Sequence, residues 1–75
     1  MAQKKVRDFL VLLEQSPDGW IVAKVPDLQG CATQGKTVAK ALERVKEAIQ
    51  VCVEAEDFSV PQLKFVGVQQ VQVRV

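Results

Sequence analysis

A run of apolar residues near the start of the chain places apolar side chains on both sides of an extended segment. From residue 6 to residue 14, one side carries Phe9, Val11 and Leu13, and the other carries Leu10 and Leu12. Successive side chains of a strand point to opposite faces of the sheet, so this segment predicts a strand that is buried on both faces. Such a strand is typical of the interior of a sheet.

A turn sequence follows, and it predicts a hairpin. Residues Ser16–Gly19 read SPDG, in which proline sets φ for the second turn position, Asp18 hydrogen-bonds nearby backbone and Gly19 accepts a positive φ. The next run, Trp20–Val25, is aromatic and β-branched, which favours a second strand antiparallel to the first. Pro26 ends this strand because it cannot donate to a ladder.

A short third strand is predicted at Cys31–Gln34, and the period then changes to that of a helix. Thr37 is a suitable N-cap residue, and from there a stripe of apolar side chains faces away from charged ones over about 17 residues. The stripe comprises Val38, Ala41, Leu42, Val45, Ala48, Ile49 and Cys52. Near the C-terminus, valines alternate with polar residues in Val71–Val75 and predict a last strand, with a break near Gln69.

These elements predict an α+β fold of the order ββ(β)αβ, in which one helix packs on one face of the sheet. The second face has no cover within the chain, although the first two strands carry apolar residues on both faces. An exposed apolar face of this kind marks an interface. We therefore expect a homodimer, a higher homo-oligomer or an obligate protein partner.

Length and charge restrict the function classes. A chain of 75 residues forms one domain, residues 1–75, and 48% hydrophobic with 25% charged residues is typical of a folded protein. Ten basic and nine acidic residues give a net charge of +1, which offers no field that would attract nucleic acid or anionic lipid. No apolar run approaches the roughly 20 residues that span a bilayer, so we expect a cytoplasmic protein without a membrane contact.

Residues that carry enzyme chemistry are few and scattered. Histidine is absent, which removes the commonest general base and zinc ligand. The carboxylates that could hold the metal ions of a nuclease must converge, and those that precede the helix lie on different elements: Asp8, Glu14, Asp18 and Asp27. Cys31 and Cys52 are expected to be reduced and to fill the core. We expect no enzyme activity, no metal and no cofactor.

The glycines after the second strand have a geometric interpretation. Residues 30–37, GCATQGKT, have the spacing of a phosphate-binding loop, but so short a motif matches by chance often and does not by itself predict a nucleotide site. Gly30 and Gly35 are instead expected to take φ values that are closed to other residues. In the segment Val25–Thr37, VPDLQGCATQGKT, every special residue then has a structural task in the crossover that links the sheet to the helix.

The same segment and the helix carry a resemblance to a known family. The family pattern reads approximately P-D-L-P-G-C, then T-x-G-x-T, then E-A-L and E-A-I. It is matched by Pro26, Asp27, Leu28, Gly30, Cys31, Thr33, Gly35 and Thr37, and on the helix by Ala41, Leu42, Glu47, Ala48 and Ile49. In this order the residues resemble the HicB family of antitoxins over residues 6–55. Gln29 departs from the usual proline, and Val38–Lys40 departs from the acidic first turn.

The resemblance implies a truncated ribonuclease-H-like fold that binds a small RNA-cleaving, HicA-like toxin and blocks its active site. Family members commonly carry a C-terminal DNA-binding domain; we expect none in this chain and therefore no direct DNA binding. The alternative is an orphan, non-enzymatic dimeric module of the same fold without a toxin partner. Trp20 is the expected anchor of a protein interface, and Asp18, Asp27 and Gln34 are candidates for polar contacts with a basic toxin surface.

Overall fold

The computed structural model of the protein describes residues 6–55 and 63–75. Three strands and one helix form a small α+β fold: β1 is Leu12–Gln15, β2 is Ile21–Lys24, β3 is Ala32–Gly35 and α1 is Val38–Glu54. The predicted order of three strands followed by one helix is confirmed. No helix among the described residues is long and apolar enough to cross a membrane.

The three strands form one antiparallel sheet in the order β1-β2-β3. Leu13 lies opposite Ala23, which in turn lies opposite Thr33, and residues paired in this way project from the same face of a sheet. Ala23 is fully buried, so these three residues mark the face that the helix covers. In the described sheet β2 is the central strand and β1 lies at an edge. The interior position predicted for the first strand is therefore wrong for the sheet that the described residues form.

β1 is also shorter than the predicted strand. It begins at Leu12, which pairs with Lys24, the last residue of β2. Beyond Lys24 the chain enters a tight loop, in which the Val25 amide donates to the Cys31 carbonyl at 3.0 Å. β2 consequently offers nothing for residues 6–11 to pair with, and these residues precede β1 without belonging to a strand.

Two glycines with positive φ close the turns of the sheet. Gly19 has a φ of +92° in the hairpin turn, where its amide donates to the Ser16 carbonyl at 2.9 Å. Gly30 has a φ of +76° in the crossover loop, just before the Cys31 amide donates to the Leu28 carbonyl at 3.0 Å. Both values lie in the left-handed region, which glycine enters without a Cβ clash.

Gly35 is required by packing rather than by its φ, contrary to the expectation. Its φ is not positive, but a Cβ at this position would lie 2.6 Å from the Ala41 amide nitrogen and 2.9 Å from the Lys40 carbonyl carbon. The end of β3 therefore touches the first turn of α1, and only a residue without a side chain permits this approach. Between them, Thr37 caps the helix, since its hydroxyl accepts a hydrogen bond from the Lys40 amide at 3.1 Å.

The core lies between α1 and the strands β2 and β3. Its buried residues are Ala23, Val25, Leu28, Cys31, Ala41 and Val45. The Arg44 guanidinium donates to the Gln34 carbonyl at 3.0 Å, which ties the helix to β3. Because α1 packs on β3 and β2 and makes little contact with β1, the helix-side residues of β1 and of the segment before it are only partly covered.

Residues 63–75 do not form the predicted last strand. Phe65 is tied to the body of the protein by its amide, which donates to the Asp27 carboxylate at 2.9 Å. From residue 66 to residue 75 every residue is exposed, and the sheet does not include this segment. A strand needs a neighbour that completes its hydrogen bonds, and none of the described strands lies beside this segment. The break predicted near Gln69 consequently has no ladder to interrupt.

Candidate protein-binding surfaces

Incomplete coverage of β1 by the helix leaves an apolar groove, which we name the β1 groove. It has a volume of about 520 Å³ and lies between residues 7–11 and α1. Its apolar lining comprises Phe9, Val11, Leu42, Val45 and Ile49. Leu13, the next helix-side residue along the chain, is 42% exposed, so the apolar character continues into β1. A groove of this composition accepts apolar side chains from another segment or another chain.

Charged residues border the β1 groove. Arg7 and Asp8 lie on the strand side and Lys46 lies on the helix side. The Arg7 guanidinium is 4.8 Å from the centroid of the Phe9 ring, a distance typical of a cation–π contact. The groove thus has an apolar floor and a polar rim, which is the usual anatomy of a protein interface.

No described helix covers the opposite side of the sheet, which we name the open face. Val22 of β2 and Gln34 of β3 lie opposite each other there. Trp20 precedes β2 in phase with Val22 and therefore projects from the same face. The indole is half-buried, and the Lys36 ammonium lies 5.8 Å from its ring centroid. The open face thus presents an aromatic side chain that is already partly held in place.

Two carboxylates, Asp18 and Glu14, lie on or beside the open face. Asp18 accepts hydrogen bonds from the Ser16 hydroxyl and, at 3.4 Å, from the Trp20 amide. These bonds, that of Ser16 most, lower the pKa of Asp18 below its ordinary value of 3.8, so the hairpin tip carries a negative charge at neutral pH. Glu14 is paired with Lys24 at 2.8 Å, an exposed ion pair that contributes little to stability.

The structure brings three of the four predicted partner-binding residues to one region. Asp18, Trp20 and Gln34 all lie at or beside the hairpin end of the open face. Asp27 lies beyond the opposite end of β2, where it is half-buried and accepts the hydrogen bond from Phe65. A compact partner that binds at the hairpin end can therefore contact only three of the four residues, namely Asp18, Trp20 and Gln34.

None of the residues of the β1 groove stands out as a site in the sequence. Phe9 and Val11 fit a strand pattern, and Ile49 belongs to the apolar stripe of the helix, so the sequence predicts that each is a core residue. The groove arises because α1 packs on β3 and β2 and leaves β1 largely uncovered. The signal that could reveal it is the apolar excess on residues 6–14, which is more than one helix can cover.

The described residues offer little for catalysis. No group of three or more His, Cys, Asp or Glu within residues 6–55 and 63–75 is placed to hold a metal ion. Both cysteines are free thiols. Burial, together with a hydrogen bond to Cys52 and the charge of that residue, raises the pKa of Cys31 to about 12. A thiol with this pKa is protonated at neutral pH and is a poor nucleophile.

The fold and its surfaces define a small α+β protein with an uncovered groove and an uncovered sheet face. A UPF0150 protein of Archaeoglobus fulgidus is 44% identical over 66 residues, which are 88% of this chain and 94% of that relative. A UPF0150 protein of Synechocystis is 33% identical over 67 residues, 89% of this chain and 96% of the relative. The chain belongs to the UPF0150 family. No family model matches it.

Proposed function

We propose that this UPF0150 protein is an antitoxin-type protein that binds a small RNA-cleaving, HicA-like toxin and masks its active site. The resemblance of residues 25–37 and of the helix to HicB antitoxins supports this function. The observation that carries it is the open face, where the half-buried Trp20 lies near the charged Asp18 on a sheet surface that no described helix covers. Tryptophan is among the residues most enriched at the energetic centres of protein interfaces.

The chemistry of the hairpin end suits a basic partner. A protein that cleaves RNA binds a polyanionic backbone and presents basic side chains to it. The Asp18 carboxylate supplies negative charge at the hairpin tip, and the exposed Gln34 side chain supplies an amide on the neighbouring strand. In the proposed complex Trp20 contributes buried area, while the two polar residues orient the toxin.

The proposed role is non-enzymatic and cytoplasmic, and it requires no cofactor. Three antiparallel strands followed by a helix support the truncated ribonuclease-H-like fold that the resemblance implies. The protonated, buried Cys31 supports a structural role for that thiol. We also include a homodimer in the proposed function, because the β1 groove leaves apolar side chains uncovered on a single chain.

Growth rescue tests the antitoxin function. A short basic protein encoded beside this chain is expected to stop growth when it is expressed alone, and co-expression of this chain is expected to restore growth. Trp20→Ala is expected to abolish rescue and to weaken binding of the purified toxin about tenfold or more. Val51→Ala removes an apolar side chain that is 64% exposed on α1, away from the open face, and should change neither property.

A wild-type chain that fails to restore growth although the neighbour is toxic would contradict the antitoxin function. It would leave the second candidate, an orphan dimeric module, which the β1 groove favours because self-association through it needs no toxin. Full rescue by Trp20→Ala would instead keep the antitoxin function and refute the open face as the toxin-binding surface.

A further inference from the structure

Residues 66–75, which we name the arm, project from the body of the protein. Five of these ten residues are valines, each at least 73% exposed: Val66, Val68, Val71, Val73 and Val75. The Cα radius of gyration is 14.8 Å and the longest extent is 56 Å, whereas a compact chain of this length has a radius of about 11 Å. The arm therefore holds a large apolar surface in solvent, which marks an interaction site.

The end of the arm has the pattern of a strand that is buried on one face. In Val71–Val75 the valines alternate with Gln72 and Arg74, so an extended conformation places three valines on one side and the polar side chains on the other. Valine favours the strand conformation. The arm lacks only a neighbouring strand that would complete its backbone hydrogen bonds.

The outer edge of β1 also has no neighbouring strand among the described residues. There β1 pairs with β2 on one side only. Among the described residues, none of the backbone hydrogen bonds outside the helix and the strands involves residues 6–11. A free edge of this kind is a template for a further strand, and the β1 groove is lined by Phe9 and Val11 of the segment that leads into β1. The other edge of the sheet, at β3, is partly engaged, because Arg44 donates to the Gln34 carbonyl.

We propose that the arm of one chain adds as a fourth strand to the β1 edge of a second copy, and that the second copy returns its own arm. Val71, Val73 and Val75 enter the β1 groove of the other copy, and β1 then lies inside a four-stranded sheet. This exchange explains why residues 6–14 carry the pattern of an interior strand. The role of the arm rests on the homodimer included in the proposed function and adds how the two copies hold each other.

The lengths and the symmetry suit this exchange. The arm has ten residues and spans about 33 Å when extended, and residues 6–15, which contain β1 and the segment before it, also number ten. Strand addition at a sheet edge takes affinity from main-chain hydrogen bonds and specificity from side-chain pockets, and here the β1 groove is the pocket. A reciprocal exchange about a two-fold axis closes the assembly at two copies.

The mass of arm variants in solution tests the exchange. Light scattering after size-exclusion chromatography should give the wild type the mass of two 8.3 kDa chains. Val71→Lys combined with Val73→Lys should raise the dimer Kd about a hundredfold or more, because two valines no longer enter the groove. Gln70→Lys combined with Gln72→Lys adds the same charge to the other side of the arm and should preserve the dimer. All four positions are exposed in the single chain, so neither variant should unfold.

Isotope-filtered NOE measurements on mixed labelled and unlabelled chains locate the contact. Intermolecular NOEs from the arm valines to Phe9 or Val11 support the exchange, and arm contacts confined to one chain overturn it. A dimer that resists Val71→Lys with Val73→Lys as well as it resists the control pair overturns the arm contact but leaves the homodimer intact. A wild type with the mass of one chain overturns both, and neither result bears on growth rescue by the open face.

Discussion

The Phe65 amide donates to the Asp27 carboxylate at 2.9 Å, and this hydrogen bond joins residues that are 38 positions apart in the sequence. Asp27 belongs to the crossover loop that carries the family resemblance, and Phe65 immediately precedes the arm. The bond therefore fixes the place where the arm leaves the body of the protein. It also gives Asp27 a task within its own chain.

Loss of this acceptor should loosen the base of the arm. Asp27→Ala is expected to lower the free energy of unfolding by about 1 kcal/mol, because the bond has a charged acceptor but is only half-buried. The Phe65 amide should also exchange its hydrogen faster. Asp27→Asn keeps an oxygen at the same position and should change both properties less. Urea unfolding and amide hydrogen exchange measure these effects, and an unchanged Phe65 exchange rate in Asp27→Ala would show that the bond does not hold the segment in solution.

The close approach of β3 and α1 should make Gly35 intolerant of any side chain. Gly35→Ala is expected to lower the free energy of unfolding by about 2 kcal/mol, because the new methyl group overlaps the backbone of the first helical turn. Gly67→Ala is the matched control, since a Cβ at that position meets nothing within 4 Å. Thermal unfolding compares the two variants, and equal melting temperatures would refute the packing role of Gly35.

Cys31 should make the stability depend on pH in alkaline solution. Its pKa is raised from an ordinary value of 9.0 to about 12, chiefly by burial, so between these pH values the folded thiol keeps a proton that the unfolded thiol has lost. The unfolded state then binds fewer protons, and the free energy of unfolding falls as the pH rises from 9 towards 12. Urea midpoints measured across this range should fall more steeply for the wild type than for Cys31→Ala. Parallel curves would show that Cys31 does not titrate in this way.

Asp18 should act at the acid end of the pH range. Its pKa is lowered, first by the Ser16 hydroxyl and then by the Trp20 amide, so its contribution to stability is complete above pH 3.8 and is lost as the pH falls through the folded-state pKa. Asp18→Asn should therefore be less stable than the wild type at neutral pH, and the difference should shrink in acid. NMR titration of the Asp18 carboxyl checks the cause, and Ser16→Ala should bring its pKa back towards the ordinary value.

Local signals in the sequence predict the order of the first four elements well. Ser16–Gly19 predicts the hairpin turn that forms, and the change of period after Thr37 predicts the 17-residue helix α1. These features depend on φ preferences, on capping and on side-chain periodicity over a few residues. Residues close together in the sequence determine these features, so the sequence alone is sufficient to predict them.

The errors concern contacts between distant parts of the chain. The valines of residues 71–75 predict a strand, and residues 6–14 predict an interior one. Within the described residues the first segment joins no sheet and β1 pairs on one side only, with β2. A hydrophobic pattern predicts that a face is buried, but it does not show whether the same chain or another chain covers that face. Gly35 is a similar case. The backbone of Lys40 and Ala41 on the next element leaves no room for a side chain at this position, whereas the φ of Gly35 itself would allow one. The β1 groove could not be predicted from the sequence for the same reason.

The two edges of the sheet differ in what they offer to other chains. The Arg44 guanidinium donates to the Gln34 carbonyl at the β3 side, whereas no described strand pairs with the outer edge of β1. In the proposed exchange each copy gives one arm and receives one, so the arm and the β1 edge of both copies are used within the pair. Such a reciprocal exchange would keep the five exposed valines of the arm from driving growth into fibres, because it closes at two copies.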